Sequence, residues 1–362
     1  MSAPWTDGWR PHPTAEPLGG PAAIEVRVDD ESRIGEARRA AESLAARAGL
    51  GETERGTLAV VVTEAATNLA LHARGGRVRL AVRGEPDAAG IELLAVDDGP
   101  GIANPSRALE DGFSTAGTAG QGLGAIRRMA GEFDLYTRAG APTGCGTALV
   151  ARVWSAAAQR ARLAAPPRPQ VGAVCVALAG ERACGDAWAV FGDGARTLVA
   201  VADGLGHGPD AAEAAEAAMR VVHRAPDATP VALVHAAHAA LRATRGAAFA
   251  LAEVDEARGT VVFAGVGNVV AVVLSPDGGA RTLASHNGTV GHSMRTVQAF
   301  EYEWPDGGTL LLHTDGINTR WRLDAYPGLL RHDPALLAAV LHRDAARGRD
   351  DATVVALRGG VG

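Results

Sequence analysis

The spacing of apolar residues divides the N-terminal part of the chain into helices and strands. Alternating residues predict a strand at 24–28, and apolar residues every three to four positions predict helices at 31–48 and 53–73. The elements expected after them are strands at 77–83 and 91–97, a helix near 122–130, and strands at 132–138 and 147–154. The Pro- and Gly-rich residues 1–22 follow neither period, so we expect a flexible arm there.

A change in composition at residues 155–170, SAAAQRARLAAPPRPQ, predicts a linker rich in alanine and proline. Beyond it the pattern predicts many short strands, two Ala-rich helices near 209–224 and 229–243, and a late helix near 334–343. We therefore expect an α+β protein of two domains, at 23–154 and 171–358.

Composition narrows the functional classes. The chain has 362 residues, a formal net charge of −6 and 47% hydrophobic residues, which suits two globular domains and gives no basic surface for nucleic acid. No run of 18 uncharged apolar residues predicts a membrane span, and the first twenty residues lack the apolar core of a secretory signal. Three cysteines without paired spacing fit a reducing compartment, so we expect a cytoplasmic location.

The first candidate site combines a helix with three glycine-containing segments. Glu64 and Asn68 are one helical turn apart, and Asp97 ends a predicted strand. A carboxylate at a strand end can accept the adenine amino group, glycines let a backbone approach a base, and amides at a helix start can hold phosphates. Taken singly, each motif is weak, because Asp-Gly pairs are usually turns and a Glu-x-x-x-Asn helix face is usually solvated. Their order within about 85 residues is what favours a nucleotide site.

These motifs resemble the GHKL (Bergerat-fold) ATP-binding domain. The stretches EAATNLALHA, DDGPGI and QGLGAIRRMAGEFDL are most similar to the small serine kinases of the RsbT and RsbW type. The resemblance covers about residues 24–154 and implies an α/β sandwich that binds ATP and Mg²⁺. It implies that Asn68 binds Mg²⁺, that Asp97 binds adenine and that Glu64 is the general base for the substrate hydroxyl. The other implied nucleotide-binding residues are Gly99, Gly101, Gly120, Gly122, Gly124 and Thr147.

The second candidate site consists of aspartates that are far apart in the sequence. Asp203 and Asp315 directly follow apolar strands, Asp350 precedes one, and Asp186 stands in a Cys-Gly-Asp turn. A carboxylate at the end of a buried strand is costly unless it is paired or coordinates a metal. The pattern therefore predicts carboxylates that converge on hard divalent cations.

The stretches ADGLGHG, TDG and DDAT resemble the metal-dependent (PPM) serine/threonine phosphatases, in particular the SpoIIE and RsbX branch. The resemblance covers about residues 171–358 and implies an α-β-β-α sandwich with two Mn²⁺ or Mg²⁺ ions. Asp203 would bridge the ions, and Asp351 is the less favoured alternative to Asp350. The implied metal-binding residues are Asp186, Asp203, Gly204, Asp315 and Asp350, with Asp186 as a direct or outer ligand. Asn268 is expected to give structural support.

The two resemblances together imply a bifunctional regulator of bacterial sigma-factor partner switching. An ATP-dependent Ser/Thr kinase and a metal-dependent phosphoserine/phosphothreonine phosphatase would act on STAS-domain or stressosome-like proteins, with no nucleic-acid or membrane partner. The alternative is an ATP-dependent binding switch that sequesters its partner, in which only the phosphatase domain is catalytic.

Overall fold

A computed structural model describes residues 23–85, 87–110, 122–140, 144–164, 169–192 and 196–360; the predicted arm at 1–22 lies outside them. The N-terminal elements are β1 (Ile24–Arg27), α1 (Ser32–Arg47), α2 (Glu52–His72), β2 (Arg77–Glu85), β3 (Ala88–Val96), α3 (Pro105–Ala108), α4 (Gly122–Met129), β4 (Glu132–Arg138) and β5 (Gly146–Trp154). The strands form one antiparallel sheet in the order β1-β2-β3-β5-β4.

One face of this sheet is covered by α1, α2 and α4. The buried side of α2 places Leu58, Val62 and Leu69 against strand residues such as Leu93. The start of α2 carries Glu52 and Glu54, whose negative charge is favourable at a helix N-terminus. The helices predicted at 31–48 and 53–73 are therefore present as α1 and α2, each with one side buried against the sheet.

The predicted linker begins with a helix. This helix, α5 (Ala156–Ala164), packs against β3 and β5 and buries Ala158. A run of alanines is a good helix former, whereas the prolines that suggested a linker come only at 166, 167 and 169.

The C-terminal elements form two stacked sheets between helices. They are β6 (Gln170–Val176), β7 (Asp186–Gly192), β8 (Arg196–Gly204), α6 (Pro209–Arg224), α7 (Pro230–Ala240), β9 (Ala247–Asp255), β10 (Thr260–Val266), β11 (Val270–Leu274), β12 (Ala280–Thr282), β13 (Phe300–Glu303), β14 (Thr309–His313), α8 (Pro334–Ala345) and β15 (Ala352–Arg358). The sheet orders are β13-β10-β9-β8-β7 and β12-β11-β14-β15-β6. The helices α6 and α7 pack on the first sheet, and α8 packs on the second. The predicted α+β class with two domains is confirmed.

The helix α8 lies between the two domains. It buries Leu336, Leu337 and Val340 in one cluster that also contains Leu94 and Val150 of the N-terminal sheet. The sequence of α8, PALLAAVLHRDA, is apolar around most of its circumference, which is the pattern of a helix covered on more than one side. The second face of the N-terminal sheet is therefore packed against the C-terminal domain.

Buried ion pairs complete this contact. Glu92 is almost fully buried between Arg83 and Arg152, at 2.7 Å from each. Arg152 also pairs with Asp333 at 2.6 Å, and Asp333 caps the N-terminus of α8 by accepting the Ala335 N–H at 2.8 Å. The two guanidinium groups lower the pKa of Glu92 from 4.5 to about 2 against the opposing effect of burial. The network therefore ties the start of α8 to the N-terminal sheet.

Candidate functional site

The N-terminal candidate site is organised around Asp97, which follows β3. Its Oδ1 accepts the N–H of Gly99 at 2.7 Å and that of Thr147 at 3.3 Å. Burial raises the pKa of the Asp97 carboxyl, and these two backbone donors oppose the rise. The hydrogen bonds hold the carboxylate in one orientation.

Two glycines are required by close backbone contacts around Asp97. A side-chain carbon on Gly146, whose φ is +126°, would lie 2.1 Å from the Asp97 carbonyl oxygen. One on Gly101, whose φ is +72°, would lie 2.1 Å from the Arg138 carbonyl oxygen. Thr147 contacts Thr137 through their hydroxyls at 3.1 Å, which joins this wall to β4. Asp97, Gly99, Gly101 and Thr147 thus lie close together, and their roles in nucleotide binding stay predictions.

The opposite wall is formed by α2 and the start of α4. A side-chain carbon on Gly122 would lie 3.1 Å from Asn68 Oδ1, and Asn68 Nδ2 is buried without a hydrogen-bond partner among the described residues. Glu64 is half-buried one turn before Asn68, and Gly124 is buried within α4. Gly120 lies outside the described residues.

The two walls meet at the C-terminal end of α2. A side-chain carbon on Gly99 would lie 3.2 Å from the His72 carbonyl oxygen, one turn beyond Asn68. An unpartnered amide donor beside a glycine at a helix start suits a phosphate oxygen, while the fixed Asp97 carboxylate suits an amino group.

A residue of the C-terminal domain contacts the wall that contains Asp97. Arg343 of α8 donates to the Asp97 carbonyl oxygen at 3.0 Å and to the Gly144 carbonyl oxygen at 3.3 Å, and its Nε lies 3.6 Å from Asp98 Oδ1. Only 2% of its side chain is exposed. Sequence reasoning missed Arg343 because it lies 246 positions from Asp97, and no motif links the two.

The C-terminal candidate site begins with a pair of aspartates on adjacent strands. Asp186 at the start of β7 is the register partner of Asp203 near the end of β8. Asp186 Oδ2 accepts the Thr314 hydroxyl at 2.7 Å, and the Thr314 Oγ1 accepts the Thr353 N–H at 3.0 Å. Burial raises the pKa of the Asp186 carboxyl well above its usual range.

Asp203 Oδ2 is buried without a hydrogen-bond partner among the described residues. Burial, together with the negative charges of Asp186, Asp315 and Asp350, raises the pKa of Asp203 to about 8. Burial and the Asp350 charge also raise the pKa of Asp315, which accepts a hydrogen bond from Asn268 Nδ2 at 2.7 Å. Four carboxylates from four separate stretches of the chain therefore act on one another here.

Asp351 has a different role from Asp350. Its two carboxylate oxygens accept the N–H groups of Leu178 at 2.7 Å and Gly185 at 2.8 Å. These bonds fix the turn before Asp186. The Asp350 carboxylate accepts only the N–H of the neighbouring Asp351 among the described backbone groups, at 2.9 Å, so it is not bound to another segment of the chain. The preference for Asp350 as a ligand stays a prediction.

Each half of the chain is similar to a family of known proteins. Residues 27–153 match the histidine kinase-like ATPase domain, and the chain is 33% identical over 118 residues to the serine/threonine-protein kinase RsbT of Bacillus subtilis, covering 89% of that protein and 33% of this chain. The chain belongs to the RsbT-like ATPase family. Residues 193–359 match the family of stage II sporulation protein E (SpoIIE).

Two further similarities agree with this assignment. The phosphoserine phosphatase RsbX of Bacillus subtilis is 25% identical over 139 residues, which cover 70% of that protein and 38% of this chain. A solved structure described as "The bacterial stressosome: a modular system that has been adapted to control secondary messenger signaling" is 32% identical, with a TM-score of 0.50, and covers 53% of this chain and all of that one. The predicted pairing of an RsbT-like kinase domain with a SpoIIE-type phosphatase domain is confirmed.

The residues of the SpoIIE-type domain fit divalent cations. The orphaned Asp203 oxygen and the mutual repulsion of the aspartates are both relieved by a positive charge. Among the described residues, no three acidic, histidine or cysteine side chains already form a complete ligand set, so cation binding would draw the carboxylates together. Gly204 lies beside the pair, with its N–H donating to the Gly185 carbonyl oxygen at 2.9 Å.

The structure also bears on membrane association. Within the described ranges, none of the helices combines the length and the apolar character needed to span a bilayer.

Proposed function

We propose that this protein phosphorylates and dephosphorylates STAS-domain proteins of a bacterial partner-switching pathway. The RsbT-like domain would transfer the γ-phosphoryl group of ATP to a serine or threonine, and the SpoIIE-type domain would hydrolyse the resulting phosphoester. The observation that carries the phosphatase half is the convergence of Asp186, Asp203, Asp315 and Asp350, with a buried Asp203 oxygen that lacks a partner. The kinase half rests on the two facing walls of the N-terminal site, one built around Asp97 and the other containing Asn68.

In the kinase half, Asp97 would accept the adenine amino group with the carboxylate that Gly99 and Thr147 orient. Asn68 would contact the phosphates and their Mg²⁺. Glu64 would accept the proton of the attacking hydroxyl, since it lies one turn from Asn68 on the same helix.

In the phosphatase half, Asp186, Asp203, Asp315, Asp350 and the Gly204 carbonyl would hold the two cations. The cations supply Lewis-acid polarisation of the phosphoryl oxygens and an activated water. Thr314 orients the Asp186 carboxylate and Asn268 orients that of Asp315. Asp351 holds the turn that presents Asp186. Such supporting hydrogen bonds fix ligand geometry before a cation arrives.

The test is incubation of the purified chain with a STAS-domain protein, ATP and Mg²⁺, with or without Mn²⁺, followed by phosphosite mass spectrometry. We expect phosphoserine or phosphothreonine to form with the parent and with Asp203→Asn, but not with Glu64→Gln. Mn²⁺-dependent loss of the phosphate should require Asp203. Asp306→Asn, an exposed aspartate, is the matched control.

Each half of the proposal can fail separately. ATP binding without any labelling of the STAS protein would refute the kinase activity and leave ATP-dependent sequestration. Unchanged phosphate release by Asp203→Asn would refute the metal assignment.

A further inference from the structure

A cationic pocket lies beside the proposed metal site. It has a volume of about 350 Å³ and is lined by Asn318, Thr319, Arg320, Arg347 and Arg349. The lining therefore includes three arginines and no acidic residue. Two of its segments directly adjoin the aspartates of the site, because residues 318–320 follow Asp315 and Arg349 precedes Asp350.

The backbone fixes the two segments side by side. Asn318 donates its N–H to the Ala345 carbonyl oxygen at 2.8 Å, and Arg347 donates its N–H to the Gly316 carbonyl oxygen at 2.8 Å. Ile317 and Ala346 form an antiparallel bridge between these bonds. The pocket is thus built on a paired backbone just beyond the C-terminus of α8.

A further bond shapes the rim of the pocket. The Asn318 side chain accepts the Arg320 N–H at 3.0 Å, which turns the chain so that Arg320 joins the other two arginines. All three arginines are exposed at the surface, so a ligand can reach them from solvent.

The three guanidinium groups form no salt bridge with any residue that the structure describes. In the described part of the chain, none of them lies within 4.0 Å of a carboxylate oxygen. Each guanidinium group carries a full positive charge, so the lining of the pocket is strongly cationic. The positive charge of Arg347 nevertheless acts on Asp315, because it opposes the rise in the pKa of that carboxyl.

Bound cations would not remove this positive charge. The negative charges of Asp315 and Asp350 would be neutralised by the bound cations, so the neighbouring arginines would remain without a counter-ion. Guanidinium groups form paired hydrogen bonds with the two oxygens of a carboxylate or phosphate, so the pocket matches an oxyanion in both charge and shape.

We propose that Arg320, Arg347 and Arg349 form an oxyanion subsite that binds the phosphoprotein substrate beside the metal site. This inference rests on the proposed phosphatase function. The oxyanion is either the phosphoryl group itself or a carboxylate that flanks it in the substrate. The three arginines thus select an anionic substrate segment and orient it toward the aspartates.

The test measures binding rather than turnover. The probes are two fluorescent peptides in which a non-hydrolysable phosphonate replaces phosphoserine, one with flanking aspartates and one with flanking alanines. Their affinity for the full chain is measured by fluorescence anisotropy in Mn²⁺. The variants are Arg347→Ala and Arg349→Ala, and the control is Arg322→Ala, an exposed arginine on the same loop that lies 3.5 Å from Asp324.

Each pocket variant should weaken binding about tenfold, which is the loss expected for a hydrogen bond to a charged group. The control should change the affinity less than twofold. Weaker binding of both peptides assigns the arginines to the phosphoryl group, and weaker binding of only the aspartate peptide assigns them to the flanking carboxylates. Unchanged affinity of both peptides in both variants overturns the subsite.

A parallel assay separates this inference from the function on which it rests. This assay measures phosphate release from the same peptides made with phosphoserine in place of the phosphonate. If the parent binds the phosphonate peptides through the arginines but releases no phosphate from the phosphoserine peptides, the proposed activity fails and the subsite stands. If it releases phosphate with Mn²⁺ but the variants bind as the parent does, the activity stands and the subsite fails.

Discussion

The buried Asp203 should destabilise the metal-free protein as the pH rises. Its pKa is raised from 3.8 to about 8, so the folded state holds this proton more tightly than the unfolded state. Stability is therefore highest below about pH 4 and decreases as the pH rises toward 8, where the folded carboxyl also ionises. Asp203→Asn carries no titrating group and should lose this dependence.

The size of the effect follows from the pKa. The interval from 3.8 to about 8 covers roughly four pH units at about 1.4 kcal/mol each, which sets an upper limit near 6 kcal/mol. Relaxation of the site and entry of water reduce the cost of a buried charge. We expect Asp203→Asn to be more stable than the parent by about 2–3 kcal/mol at pH 8, and by about 1 kcal/mol or less at pH 5.

Urea unfolding in a chelator, followed by circular dichroism at several pH values, measures this difference. Adding Mn²⁺ at pH 8 should reverse the order, because the cation binds the folded parent and stabilises it by mass action. Asp306→Asn should follow the parent throughout. A difference that stays constant with pH, or a variant less stable than the parent at pH 8 without metal, would refute the reasoning.

Three other substitutions test contacts between and within the domains. Glu92→Gln removes the negative charge between two buried guanidinium groups and should lower the free energy of unfolding in urea by about 3–5 kcal/mol at pH 7. Because the pKa of Glu92 is lowered from 4.5 to about 2, this loss of stability should shrink as the pH falls through that interval, and a loss that does not change with pH would contradict the prediction. Arg343→Ala removes a donor to the Asp97 carbonyl and should weaken ATP binding, measured by calorimetry, about three- to tenfold, whereas equal affinity would exclude the contact. Leu336→Ala leaves a cavity in the apolar cluster shared by the two domains and should lower the free energy of unfolding in urea by about 2–5 kcal/mol. An unchanged free energy of unfolding would contradict the packing of Leu336 in this cluster.

Much of the candidate nucleotide site could be proposed from local order in the sequence. Asp97 and its glycines lie at the end of one strand, and Glu64 and Asn68 lie on one helix, so short-range periodicity brings each group together. The contribution of Arg343 could not be predicted, since it depends on how α8 docks against the N-terminal sheet.

The aspartate cluster shows a similar division. The position of each aspartate at a strand end indicated a costly buried charge, which pointed to cations. The sequence did not distinguish Asp350 from Asp351 except by resemblance, because both follow the same turn. In the structure, Asp351 is bound by the N–H groups of Leu178 and Gly185, and these bonds require β6 and the turn before β7 to pack beside β15.

The sequence by itself determined the two-domain α+β organisation, most of the helices and strands, and the residue types of both candidate sites, because periodicity and turn chemistry act over a few residues. Only the tertiary structure decided that α8 is shared by both domains, that Arg343 contacts the Asp97 wall and that three arginines gather beside the aspartates. These contacts join positions far apart in the chain. They are fixed by the burial of apolar faces and the pairing of buried charges, which no local pattern encodes.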